Sequence, residues 1–289
     1  MGTDSPIRHL ASIVCPPWMD RDKVIFVMLS FAFDAGGDDA TPVLTVGGFA
    51  SSVKDWDDFS LQWKTRLAQD KIDFFRAVDA AHFRGPFQHW HGLPNRDDLR
   101  NRLFQDLMEI IKRNVYRKFG CTIVNSAFRH MDKALAEEYA MTAYSVAGRR
   151  CELTAREWVI DEWKGTEIVE LVFEDGDAGK GKLIKRLEDD GCFSPTFKPK
   201  KDTMRNGVLQ YGFIPLQAGD WLAYELSLAV AQFESGKRPA AISELRWPMQ
   251  EFLRIHGNTG VVVAENIEEL ERKVRLSKEL DTWWSSLNL

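Results

Sequence analysis

The spacing of apolar positions along this chain changes period several times, and each change marks an element. The first long run, "VIFVMLSFAF" from Val24 to Phe33, mixes β-branched and aromatic residues and is closed by Gly36-Gly37, the pattern of a buried central strand. Beyond the glycines, "TPVLTVGGFA" reads as a second strand, with Pro42 at its start and Gly47-Gly48 marking a bulge. The two are expected to pair as a hairpin. The period then lengthens: Trp56, Phe59, Trp63 and Leu67 recur at helical spacing, and Ser52 stands three residues before Asp55 as a cap.

A short strand-like "KIDFF" follows, and the Gly, Pro and His residues between His82 and Asn95 predict an irregular segment. Asn95 is placed to cap a helix whose face is Leu99, Leu103, Leu107, Ile110 and Ile111. "KFGCTIVNSAF" reads as a strand, Asp132 to Trp163 as one long helix or a pair broken near Gly148, and "TEIVELVF" as a strand ending in the acids of "EDGD". Then come a helix "GKLIKRLEDD", a basic stretch, a strand "VLQYGFI" stopped by Pro215, and the apolar helix "LQAGDWLAYELSLAVAQF". The tail predicts a helix near "ELRWPMQEFLRI", a strand-like "GVVVA" and an amphipathic helix carrying Ile267, Leu270, Val274 and Leu280.

With residues 51–118 set aside, the order is strand, strand, strand, long helix, strand, helix, strand, helix. That is the order of a ribonuclease-H-like α/β domain, a mixed five-stranded sheet flanked by helices, and by itself it is a fold-level analogy. The expected organisation is one domain over residues 20–236 with a helical insertion at 51–118. Residues 237–289 would be a helical extension packed on it. No internal repeat or clean linker breaks the chain.

Composition narrows the function classes. In 289 residues, 44% apolar content is enough for a sizeable core, so disorder is not the expectation. A net charge of -5 argues against coating nucleic acid by bulk charge but leaves room for a local basic groove. Cys15, Cys121, Cys151 and Cys192 lie far apart with no Cys-x-x-Cys pair, which argues against a zinc ribbon or a disulfide framework and fits a reducing cytoplasm. The longest apolar run is about half a membrane span, and no signal-peptide pattern opens the chain, so no membrane association is expected.

Three acidic positions fall where such a fold gathers its chemistry: Asp34 after the first strand, "EDGD" after the fourth, and Asp220 in the first turn of the last long helix. Convergent carboxylates suit Mg2+ or Mn2+, hard cations that prefer oxygen ligands and activate water or stabilise a leaving oxygen. Strand alternation puts Glu174 on the face of Val172 and Asp175 on that of Phe173, and Asp177 follows Gly176 and can turn back. Glu174 and Asp177 are therefore the preferred ligands. Gln217, Asp220, Tyr224 and Ser227 form a polar stripe on the helix. Glu225 lies about 140° of rotation away from Asp220, at roughly 100° per residue, and suits a buried salt bridge better. Each acid also has a plain structural reading: Asp34 as turn chemistry before two glycines, "EDGD" as an acidic loop, Asp220 as an acid favoured by the helix dipole.

With "FDAGG", "LTVGGFA", "FFRAVDAAHFRGPF", "VFEDGDAGKG" and "PLQAGDWLAYE" located, the chain resembles the domain-of-unknown-function family numbered 3800, itself similar to the ribonuclease-H-like superfamily. The likeness runs over most of Val24 to Phe233. It implies a metal-dependent nuclease-type site using Asp34, Glu174, Asp177 and Asp220. It also suggests a setting in mobile-element or antiviral-defence biology. Two departures stand out. Ala35 and Gly36 replace the family's Glu and Ser, and Arg76 replaces its usual His, while Asp79 is retained and can supply an acid.

Other residues bear on a nucleic-acid partner. Arg76, Arg84 and His89 are placed for phosphate contacts, with Trp90 as a stacking surface. His82, His89 and His91 also have the composition of a zinc or manganese site, provided the segment is extended. From Lys180 to Arg205 eight basic residues stand against four acids, a local charge of +4 that includes Lys180, Lys182, Lys198, Lys200 and Lys201. This stretch reads either as a track for the phosphate backbone or as a solvated face. Trp283 and Trp284 are expected to dock on the body or on a second copy of the chain, giving a homodimer through the C-terminal helices. The expected activity is two-metal phosphodiester hydrolysis of DNA or RNA. The alternative, raised by Ala35, is a diverged non-catalytic nucleic-acid- or protein-binding module.

Overall fold

The computed structural model describes residues 5–15, 18, 20, 25–32, 41–163, 169–175, 179–189, 195–262, 266–272 and 275. After a short helix α1 (Pro6–Val14) the chain enters β1 (Ile25–Ala32) and β2 (Val43–Ser52), which pair antiparallel as expected. Their register runs unbroken from Ile25↔Ser52 to Ala32↔Thr45, so Gly47-Gly48 forms no bulge. Between β2 and β3 (Arg117–Val124) lie α2 (Val53–Gln69), α3 (Ala77–His82), a 3-10 turn at Gly85–Trp90 and α4 (Arg96–Asn114). The Ser52 side chain caps α2 by accepting from the Asp55 N–H at 3.1 Å. "KIDFF" forms no strand. Lys71 is left-handed at φ 58°, and the chain to Arg76 is irregular with Phe75 fully buried.

The expected long helix is a series. After the single turn α5 (Asn125–Phe128), α6 (Lys133–Glu138) is separated from α7 (Ala143–Trp158) by a break at Ala140, φ 50°, and by a capping box between Thr142 and Ser145. Gly148 lies inside α7, where an added Cβ would stand 2.9 Å from Leu183 Cδ1. It serves close packing of α8 (Lys180–Asp189), which follows β4 (Val169–Glu174). The next strand is not "VLQYGFI" but Thr196–Lys198, β5, which pairs parallel with β4. β6 (Thr203–Arg205) and β7 (Val208–Gln210) form a separate small hairpin before α9 (Pro215–Glu234). α10 (Trp247–Arg254) leads into β8 (Gly257–Val262).

The chain is thus α/β, and among the described residues six strands form one mixed sheet in the order β5-β4-β1-β2-β3-β8. β1 is parallel to β4 and antiparallel to β2, while β8 adds an edge parallel to β3. Five strands were expected. The sixth is β8, whose last three residues open the predicted "GVVVA", and it covers the edge that β3 would otherwise present unpaired.

The two faces of the sheet differ in chemistry. Leu44, Val46, Ala50, Phe119, Cys121 and Ile123 join α7 and α8 in one apolar core. On the opposite face Thr45, Gly47, Gly120 and Thr122 are small, so α9 approaches closely: a Cβ on Gly47 would stand 3.1 Å from Ala223 N. Thr45, Thr122 and Ser227 satisfy one another there, each link 2.9 Å long. Over the same helix the insertion closes with a ring cluster in which Trp221 lies 4.7 Å from Phe104 and 5.4 Å from Phe75 between centroids. Trp56 and Trp63 are fully buried in this core, as their spacing predicts. Among the described residues no helix is long and apolar enough to cross a membrane.

Because the neighbour of Gly47 is helix backbone rather than a yielding side chain, overpacking there is expensive. Gly47→Val is expected to destabilise the protein by about 1–3 kcal/mol in urea unfolding, whereas Gly260→Ala, facing open space, should change it by less than about 0.5 kcal/mol. Equal effects would refute the close-approach account.

Candidate functional site

β4 ends at Glu174, and α9 carries Asp220 in its second turn, since the helix starts at Pro215. Alternation along β4 puts Val172 in the core beneath α9 and Phe173 in the core beneath α7 and α8. Glu174 therefore lies on the α9 side, and Asp175 turns outward to Lys180 at 2.8 Å and Arg205 at 2.6 Å. Those partners, the Lys180 hydrogen bond first, hold the Asp175 carboxyl below the usual carboxylate range.

Glu174 and Asp220 converge on one cation, the Lys200 ammonium. Its Nζ is 3.1 Å from Glu174 Oε1 and 2.9 Å from Asp220 Oδ1, and it donates to both side chains. The three side chains are 17%, 6% and 13% exposed for Glu174, Asp220 and Lys200, so the pairs are largely shielded from solvent. Burial pulls the Lys200 amine down, but the Asp220 and Glu174 charges outweigh it and leave it above the ordinary lysine value. This lysine was expected at a basic surface. Instead β5 pairs with β4 through Lys198 opposite Glu174, which carries Lys200, two residues on, across the end of the sheet.

Asp220 has a second task. Its Oδ2 accepts from the Ala77 N–H at 2.8 Å, and Gln217 Oε1 accepts from both the Phe75 N–H at 2.8 Å and the Trp63 indole at 2.9 Å. Gln217 Nε2 in turn donates to the Lys200 carbonyl at 2.8 Å. One helical turn thus clamps the start of α3, the body of α2 and the backbone of Lys200. The polar stripe continues at Ser227, while Tyr224 lies beneath the Arg246 guanidinium, 5.6 Å from its ring centroid.

Asp34 and Asp177 lie outside the described residues, as do Ala35, Gly36, Trp283 and Trp284. Arg76 is the N-cap residue of α3, and Asp79 stands in its first turn, where its carbonyl accepts from the Arg84 N–H. His89 Nε2 lies 3.0 Å from the Asp70 carbonyl oxygen. His89 lies in the 3-10 turn and His91 is its C-cap, so the extended geometry required for a shared histidine face is not formed. Arg84 and His91 instead border an open depression of about 540 Å³ with Phe83 and Gln88. Among the described residues no group of three or more His, Cys, Asp or Glu converges.

The basic stretch is dispersed rather than continuous. Lys180 also stacks over Phe197 at 4.4 Å, Lys182 pairs with Glu137 at 2.8 Å, Lys198 lies over Phe213 at 5.5 Å and Lys201 over Phe74 at 4.0 Å. Lys200 as counter-ion, and Trp63 as a donor to Gln217, were not legible locally, because each joins residues far apart in sequence.

Glu225 is 1% exposed and sits apart from this cluster. Arg246 Nη2 lies 3.4 Å from it, yet neither carboxylate oxygen makes a formed hydrogen bond among the described residues. Burial pushes its carboxyl up to about 7, against the opposing pull of Arg246 and the Trp221 indole. The folded state therefore holds a proton that the unfolded chain releases near the ordinary glutamate value. The contribution of this group to stability is fully present below that value and is lost as pH rises through about 7, by about 3 kcal/mol at most.

Two variants examine these groups. Glu225→Gln should gain stability relative to the parent by about 2–3 kcal/mol on going from ~pH 5 to ~pH 8.5 in urea titrations; a pH-independent difference would contradict the buried-acid account. Gln217→Leu should lose about 3 kcal/mol because three buried polar groups lose their partner, and a loss under about 1 kcal/mol would show that the clamp is not structural.

No family model, no curated protein and no solved structure matches this chain.

Proposed function

We propose that the chain is a ribonuclease-H-like, Mg2+- or Mn2+-dependent phosphodiesterase acting on nucleic acid. The strand order supports the fold reading: within the six-stranded sheet the run β3-β2-β1-β4-β5 has an antiparallel first three strands and β4 and β5 parallel to β1. Such a topology binds at the ends of the parallel strands, where the chain also leaves β1 two residues before Asp34.

The observation that carries the functional reading is the convergence of Glu174 and Asp220 on a single cation. Carboxylate oxygens from two separate elements suit a hard divalent ion, and Lys200 stands in for such a charge. Glu174 and Asp220 would hold the ion, with Asp34 and Asp177 as further ligands. Bound there, the ion would supply Lewis-acid stabilisation of phosphate oxygens and a more acidic water. Hydrolysis would form a P–O bond to the water oxygen and break the bond to the leaving sugar oxygen, which takes up, through solvent, the proton that the water gives up. Arg76 and Arg84 on the insertion are candidates for positioning the phosphate.

Lys200 also favours the second reading. An ammonium that already pairs with both acids is what a non-catalytic descendant of such a site would retain, with the fold kept for binding nucleic acid or a protein.

Cleavage of single- and double-stranded DNA, RNA and hybrid oligonucleotides with Mn2+ tests the proposal. The parent should cleave at least one of them, and Glu174→Gln, Asp220→Asn and Asp34→Asn should each lower the rate by about 100-fold or more. Activity unchanged in Asp220→Asn, or retained in excess chelator, would sink the metal-dependent reading.

A further inference from the structure

The Lys200 ammonium occupies the point on which Glu174 Oε1 and Asp220 Oδ1 converge, 3.1 and 2.9 Å away. Two anionic groups and one ammonium leave a residual negative charge, which a divalent cation would overcompensate only if the ammonium stayed. The two cannot share the point: Mg2+ requires oxygens at roughly 2.1 Å, and a lysine beside it would be repelled at close range in a shielded site. Occupancy is therefore exclusive.

We propose that Lys200 is a built-in competitor for the divalent cation: it holds Glu174 and Asp220 together in the metal-free protein and withdraws when the ion enters. This rests on the metal-dependent reading of the same site. The main chain on either side is anchored, because Gln217 Nε2 donates to the Lys200 carbonyl at 2.8 Å and the Phe213 N–H to the Pro199 carbonyl at 2.8 Å. Movement is thus confined to the side chain, whose flexible stem pivots on a fixed Cα. Its 13% exposure gives it a route to solvent.

The neighbours do not substitute for it. Lys201 lies over the Phe74 ring at 4.0 Å and Lys198 over Phe213 at 5.5 Å, so each flanking ammonium has its own place. Once displaced, the Lys200 ammonium stands at the rim of the site and needs a new anion. A phosphate of the substrate is of the right charge, so metal and polyanion are expected to bind with positive coupling.

Mn2+ titration by calorimetry on the full chain tests the competition. Lys200→Met should bind Mn2+ roughly tenfold more tightly than the parent, as expected if the lysine-out state is a minor fraction of the metal-free protein. Lys200→Met combined with Asp220→Asn should lose that gain. Equal affinity in the parent and Lys200→Met overturns the proposal.

Lys200→Met leaves two shielded carboxylates without their ammonium and can fail to fold without metal. Amine methylation of the parent read by mass spectrometry is therefore the second measurement. Labelling of Lys200 should rise with Mn2+, and unchanged or reduced labelling at saturating Mn2+ overturns the proposal as well. The outcomes separate the two ideas. Metal-dependent cleavage by the parent with unaltered Mn2+ affinity in Lys200→Met removes the competitor and keeps the nuclease. Tight Mn2+ binding by Lys200→Met in a protein that cleaves no nucleic acid keeps the competitor and removes the nuclease. Absence of Mn2+ binding in both proteins removes both.

Discussion

Two backbone N–H groups, those of Phe75 and Ala77, set the position of the candidate site. They lie where the chain leaves α2 and cannot join a sheet, and a buried N–H must still find an acceptor. α9 supplies both acceptors from one face, Gln217 Oε1 and Asp220 Oδ2. The rest of the arrangement follows from that requirement. The insertion is docked on α9, α9 is pressed to the sheet through Gly47, and the polar stripe is thereby held beside the end of β4. Asp220 is left with one oxygen for structure and one for a cation.

Charge balance then decides what surrounds the acids. Taking a carboxylate out of water costs several kcal/mol unless a partner accompanies it. Asp175 meets this with Lys180 and Arg205, and the Glu174–Asp220 pair meets it with Lys200. The basic stretch that follows β4 is in this sense an internal counter-charge. Several of its members face aromatic rings or acids of the same chain, so the local charge of +4 is spread among internal partners. Glu225 is the exception, held near a single arginine without a formed hydrogen bond.

Periodicity located α2, α4, α8 and α9 and the strands β1 to β4, because amphipathic patterns are local and burial of one face enforces them. It misread "KIDFF", whose Ile72 and Phe75 are buried in the core of the insertion rather than by strand pairing, and it overextended "VLQYGFI", of which Val208–Gln210 forms a strand, exposed at Val208 and Leu209 on a small hairpin outside the main sheet. It also passed over Thr196–Lys198, since three residues are too few to display a period. Glycines were ambiguous in the same way: Gly47 answers to helix backbone above the sheet, and Gly148 to Leu183, neither of which is its neighbour in sequence.

For the site, the division has one physical cause. The sequence alone determined which side of β4 Glu174 occupies and which stripe of α9 carries Gln217 and Asp220, because side-chain direction follows from periods of two and 3.6 residues. Only the tertiary structure decided which cation stands between them. Lys200 meets Glu174 across 26 residues and Asp220 across 20, and Gln217 meets Phe75 across 142. Those meetings depend on the path of the whole chain, set by β5 pairing beside β4 and by the insertion closing over α9, and no local pattern encodes them.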